Sequence, residues 1–296
     1  MHYKHRSFNT YKSQPAFSKP RQKGFKATHF KWLIIVALIT GLTVHIEIAR
    51  RASAEALATA EATHVRVANT EFASKVKAII SNNPQTEFSI SIINPYLTTP
   101  LCFGSCEPQD AASTTKLITA AAYLHKVENG QAALNYKIND QPASEELRLL
   151  VNQSDDTAWQ AFNDKLGHSY LQDYARHLGL SSYSAENNTI SSFDMAKLLK
   201  LLRAGQLLNY QHTKTLLSYM QHTNYEDFMS PAIMSGFKLY HKVGIDGDQV
   251  NDVGVITGQS KSLELSIFTN GHGSYDWASR ADAMQQITKV AQKAYL

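Results

Sequence analysis

The stretch AASTTKLITAAAYLHKVENG, residues 111–130, divides the chain. Strand-like sequence precedes it and helix-like sequence follows. Leu117, Ile118, Ala121, Leu124 and Val127 recur at helical spacing, so a helix is expected from Ser113 to about Ala133, with Gly130 as its stop signal. Its first turn reads Ser113-Thr114-Thr115-Lys116. A serine and a lysine three residues apart share one helix face. A neutral lysine there can take the hydroxyl's proton and make it a nucleophile. The same serine also suits the polar start of a helix. Ser74–Lys77 and Ser235–Lys238 repeat the pattern, so the pattern alone decides nothing.

Upstream, a helix is expected around Asn69–Ile80, ended by Ser81-Asn82-Asn83-Pro84. In EFSISIINPYL, Phe88, Ile90 and Ile92 alternate with Ser89 and Ser91, the pattern of a half-buried strand. A second short strand falls near Leu101–Phe103. Downstream, EELRLLVNQ, TAWQAFNDKLG, SYLQDYARHLGL and SFDMAKLLKLLRAG read as helices up to Leu208, with Gly167, Gly179 and Gly205 where C-terminal caps belong. Then FKLYHKVGI, VNDVGVITGQ and LELSIFTNG look like three consecutive strands, and an amphipathic helix closes the chain from about Tyr275 to Ala294. This order predicts an α+β fold: a five-stranded antiparallel sheet with terminal helices on it and an all-helical insertion.

The net charge of +4 belongs to one end. Residues 1–31 hold eight basic and no acidic residues, and the remainder carries 21 basic against 25 acidic ones. No basic segment interleaved with aromatics marks a nucleic-acid partner. After this basic tail, Trp32–Val44 is WLIIVALITGLTV, without a charge, and the apolar character extends to Ala49. Basic, then apolar, then polar is the order of an export signal. Residues 32–49 are therefore expected to act as an uncleaved signal-anchor in the membrane, or as a cleaved signal peptide with sites at Ala52-Ser53-Ala54 or Ala56-Leu57-Ala58. Either places the chain from about residue 52 outside the cytoplasm. Residues 50–67 form an Ala-rich stalk and 68–296 the folded domain. Cys102 and Cys106 are the only cysteines, and outside the cytoplasm they can close a small disulfide. No histidine or cysteine spacing suits a metal, and no cofactor is called for.

Two further groups share the order of Ser113. Ser154-Asp155-Asp156 lies between two helices of the insertion, and Lys242-Val243-Gly244 lies on the first strand after it. With these three groups the chain resembles the class A β-lactamases and penicillin-binding proteins, which carry S-x-x-K, S-D-N and K-T-G in this order. Only the pattern at Ser113 stands in the right place. The resemblance covers about residues 68–295, including QSDDTAWQAFNDKLG, NTISSFDMAKLLKLL and HKVGIDGDQVNDVGVI. It implies a Ser113 acyl-enzyme with Lys116 as base, Ser154 relaying a proton to the leaving group and Lys242 supplying positive charge. It maps the oxyanion hole to the backbone N–H groups of Ser113 and Ile245, beside Gly244. The substrates it implies are a peptidoglycan-type peptide, a β-lactam or another small acyl compound.

The chain departs from that family at three points. Asp156 replaces an asparagine; as a carboxylate it only accepts hydrogen bonds, and its charge favours the ammonium form of Lys116. Val243 replaces a threonine whose hydroxyl helps hold a substrate carboxylate, for which Arg280 is a candidate substitute. The connection GLSSYSAENNTISSFD lacks the family's glutamate–asparagine spacing, and Glu186 is its only acid before Asp194. The expected function is an exported serine hydrolase or acyltransferase. The alternatives are a true β-lactamase and a catalytically impaired surface binding module.

Overall fold

The computed structural model describes residues 27–296 apart from 95, 98 and 260; most of the expected basic tail lies outside them. The chain divides into two units, Met1–Glu61 and Ala62–Leu296. Helix α1, Ala27–Ser81, contains residues 32–49 and the expected stalk 50–67. Among the described residues no helix is long and apolar enough to cross a membrane, so the structure lends the expected anchor no support. The second unit begins within the expected stalk, and beyond the stalk Ala68, Phe72, Val76 and Ile79 of α1 are buried.

Five strands form the sheet: β1 (Glu87–Ile93), β2 (Leu101–Gly104), β3 (Lys238–Asp246), β4 (Gln249–Thr257) and β5 (Ser262–Asn270). Their order across it is β2-β1-β5-β4-β3, with every pair antiparallel. Between β2 and β3 the chain forms α2 (Lys116–Glu128), α3 (Ala143–Arg148), α4 (Asp156–Leu166), α5 (His168–His177), α6 (Ser192–Arg203) and α7 (Tyr210–Tyr219). Helix α8, Trp277–Tyr295, closes the chain. The expected fold class therefore stands, with α7 added beyond the expected end of the helical block.

A separate apolar core lies against each face of the sheet. Phe88, Ile90, Ile92, Val243, Val250, Leu265 and Ile267 pack with Phe72 and Val76 of α1 and Met284 and Ile287 of α8. Val253, Val255 and Phe268 face the other way, into the helical insertion. The alternation of β1 suggested one solvated face, but both faces are buried. Ser89 and Ser91 lie under α6, where their hydroxyls meet Ser192 Oγ at 2.7 and 2.8 Å. Polar residues can line a dry face when they satisfy one another. Periodicity reports polarity, and here polarity does not report solvent.

Candidate active site

Ser113 lies in a single 3-10 turn, Ala112–Thr115, and α2 starts only at Lys116. The turn is held from three sides. Asp110 accepts from Ala112 N at 2.7 Å, and Asn251 of β4 donates to Asp110 O at 2.9 Å. Asn188, in the connection between α5 and α6, donates to Ala112 O at 2.9 Å and accepts from the Thr115 hydroxyl. On the third side stands Gly244 of β3. A Cβ there would sit 2.8 Å from Ala111 O and Ser113 N, so only glycine lets the strand approach the turn so closely. Ala112 adopts φ +47°, a left-handed conformation that costs a non-glycine residue about 1–2 kcal/mol. Ser113 is half-buried, and among the described residues its hydroxyl makes no hydrogen bond.

Lys116 is fully buried one helical turn on. Its ammonium donates to Asp156 Oδ1 at 2.6 Å and Ser154 O at 2.7 Å, with Ser154 Oγ at 3.5 Å. The Trp159 ring lies 5.5 Å from Nζ. Burial lowers the Lys116 pKa and outweighs the Asp156 contacts, which raise it. Asp156 thus acts in the expected direction, but the net shift is toward a neutral amine.

Ser154 ends a π-helical stretch, Leu149–Gln153, in the left-handed conformation with φ +58°. That bend puts its hydroxyl 2.8 Å from Lys242 Nζ. Lys242 is buried too, and its second partner is Val243 O at 2.5 Å. Burial, with the nearby charge of Lys116, pushes its pKa down to about 7. Two lysines from different elements therefore converge on one serine hydroxyl, each with its charge disfavoured.

Strand β3 is an edge of the sheet. His241 N donates to Met220 O at 2.8 Å, outside the sheet. Hydrogen bonding alternates along an antiparallel edge strand, so the N–H of Ile245, four residues on, also points away from β4. Two backbone N–H groups, of Ser113 and Ile245, are thus presented where β3 meets the turn. Such groups can hold a developing oxyanion.

The other expected residues fall elsewhere. Val243 is buried in the core shared with α1 and α8, on the sheet face opposite Lys242. Arg280 is neither at the surface nor open to a substrate. It is 2% exposed, and its guanidinium donates to the carbonyls of Asp276, Asp248 and Ser274, so the expected carboxylate role is corrected to a structural one. Glu186 is exposed and paired with His168 Nδ1 at 2.9 Å. Cys102 and Cys106 form the disulfide. Among the described residues no cluster of His, Cys, Asp or Glu could hold a metal ion. Asn188, Asp110 and Asn251 had no motif to mark them; the pair Asn187-Asn188 just before a strand-like TI was the only local sign of a tight connection.

A family model described as the β-lactamase enzyme family matches residues 71–296. No curated protein sequence matches the chain. Among solved structures, the chain is similar to PBP-A, with a TM-score of 0.70 and 20% identity over 76% of this chain and 96% of that one. It is similar to a β-lactamase from Sphaerobacter thermophilus, with a TM-score of 0.67 and 20% identity over 76% and 97%. An ancestral class A β-lactamase gives a TM-score of 0.70 and 15% identity over 76% and 100%. At such identities the likeness to these structures speaks for the fold.

Proposed function

The chain belongs to the β-lactamase enzyme family and is a serine hydrolase by that membership, and on this premise we propose that it forms an acyl-enzyme on Ser113 outside the cytoplasm, with a cell-wall peptide or another small acyl compound as substrate. The observation that carries this reading is the convergence of Lys116, one helical turn on from Ser113, and Lys242 on the Ser154 hydroxyl. In the first step Lys116, as the neutral amine, takes the Ser113 proton while the oxygen attacks the carbonyl carbon. The N–H groups of Ser113 and Ile245 hold the oxyanion. Ser154, backed by Lys242, passes a proton to the leaving atom.

Export rests on the basic-then-apolar order of the N-terminus and on the Cys102–Cys106 disulfide. Acylation by β-lactams is supported by a PBP-A mutant whose structure is an acyl-enzyme complex with penicillin G. Slow deacylation follows from Glu186, whose carboxylate is engaged by His168 at the surface. Acyl transfer to an amine in place of water is compatible with the same intermediate.

The test is intact-mass spectrometry after incubation with a fluorophosphonate and, separately, with penicillin G. Adducts that vanish in Ser113→Ala are expected, and the penicillin adduct should persist. Failure of both reagents to add to Ser113 would sink the proposal.

A further inference from the structure

At this site the lysines are buried, and Asp156 and Asp246 are exposed. Lys116 is buried and spends its ammonium on Asp156 and Ser154. Lys242 is buried and spends its own on Ser154 Oγ and Val243 O. Arg280 is taken by three carbonyls, and Val243 faces the opposite core. Among the described residues of this site, each of these cations is buried and already hydrogen-bonded within the fold.

Asp156 differs. It is the first residue of α4, its side chain is 85% exposed, and only Oδ1 is committed to Lys116. Asp155 beside it is turned inward to cap the helix, accepting from Ala158 N at 2.8 Å. At the far end of β3, Asp246 is exposed on the same strand face as Lys242 and Gly244. A carboxylate oxygen open to solvent cannot donate to a substrate carbonyl, but it can accept from or pair with a cation.

Resting on the Ser113 hydrolase reading, we infer that Asp156 selects substrates whose acyl portion carries a positive charge, an ammonium group near the scissile carbonyl. The acyl-side placement is part of this inference, with Ser154 and Lys242 left to serve the leaving atom as in the hydrolase reading. The reaction balances without any further reagent. Ser113 O–H adds to the carbonyl carbon, the bond to the leaving oxygen or nitrogen breaks, and the serine proton ends on that leaving atom. Water then restores the Ser113 hydroxyl and releases the cationic acid. The ammonium stays paired with Asp156 through both steps.

Three p-nitrophenyl esters separate charge from shape: trimethylammonio-butanoate, its carbon isostere with tert-butyl in place of trimethylammonium, and the glutarate monoester. With the full chain at low salt, kcat/KM should be roughly tenfold higher for the cationic ester than for its isostere, with the anionic ester slowest. The preference should shrink as salt screens the exposed pair. In Asp156→Asn the ratio of cationic to neutral ester should fall to about one. The ratio is read, rather than the rate, because Asp156 also touches Lys116. Equal wild-type rates for cation and isostere, with release abolished in Ser113→Ala, would overturn this inference and leave the hydrolase standing. An unchanged ratio in Asp156→Asn would overturn it as well. Release from all three esters that persists in Ser113→Ala would overturn the hydrolase reading, and this inference with it.

Discussion

At the scale of single residues, the site is built on two backbone conformations that its own side chains disfavour. Ala112, next to Ser113, and Ser154 itself both have positive φ. For Ser154 the strained backbone is what aims Oγ at Lys242. Two substitutions separate backbone from hydroxyl. Ser154→Ala and Ser154→Gly both remove the proposed proton relay, and each should lower acylation by about a hundredfold or more. They should differ in stability, because glycine takes this φ without strain and alanine does not. Chemical denaturation should find Ser154→Gly more stable than Ser154→Ala by about 1 kcal/mol. Equal stabilities would show that φ at this position stores no strain. The motif serines and lysines were legible in the sequence because their identities are the chemistry. The sign of the Lys116 shift was not, since Asp156 is visible in sequence and burial is not.

At the scale of elements, the turn that carries Ser113 is held by a connection. Asn188 sits at φ +50° between α5 and α6 and bonds to both ends of the Ala112–Thr115 turn, while its carbonyl accepts from Ala111 N at 3.0 Å. Asn188→Gly keeps the backbone conformation and the carbonyl but deletes two side-chain hydrogen bonds. A loss of about 1–3 kcal/mol of stability is expected, with slower labelling of Ser113 by a fluorophosphonate. Labelling at the wild-type rate would show that the turn is held by Asp110 and Gly244 alone. The helices, the strands and the glycine stops at Gly167, Gly179 and Gly205 were legible from spacing. The role of Asn188 was not, because its partners lie about 75 residues away in sequence. Nor was the burial of Ser89 and Ser91, whose partner Ser192 comes from α6.

At the scale of the folded unit, the sheet keeps two buried charge systems on opposite faces of one strand. Lys242 faces the insertion, and His241 faces the side of α1 and α8. His241 Nδ1 meets Asp252 Oδ1 at 2.9 Å, and Nε2 meets Glu226 at 3.3 Å. Burial lowers the His241 pKa, but the charges and hydrogen bonds of Asp252 and Glu226 outweigh it and push it up to about 9. Since the folded value exceeds the unfolded one, this contribution to stability is complete below about pH 6.5 and is lost as pH rises to about 9. Lys242 works the other way. Its folded value, about 7, lies below the unfolded one, so the cost of its buried charge fades as pH climbs from about 7 to about 10.5. The two oppose each other between about pH 7 and 9, which flattens the wild-type profile. Replacing only one of them exposes the balance. The stability deficit of His241→Gln should shrink by about 3 kcal/mol between pH 6 and pH 9.5, read by guanidinium unfolding. A deficit independent of pH would show that His241 is not charged in the fold.

The sequence by itself determined the order of elements, the antiparallel sheet with its helical insertion, and the trio of Ser113, Ser154 and Lys242 with Lys116. Those features reside in local periodicity and in residue identity, which a chain carries in one dimension. The tertiary structure alone decided which charges are free. Arg280 is buried and bonded to three carbonyls, Lys116 is bonded to Ser154 and Asp156, Lys242 is bonded to Ser154 and Val243, and Asp156 keeps an open oxygen. Desolvation and hydrogen-bond satisfaction depend on what the rest of the chain brings to a side chain, and folding assembles those partners from elements far apart in sequence.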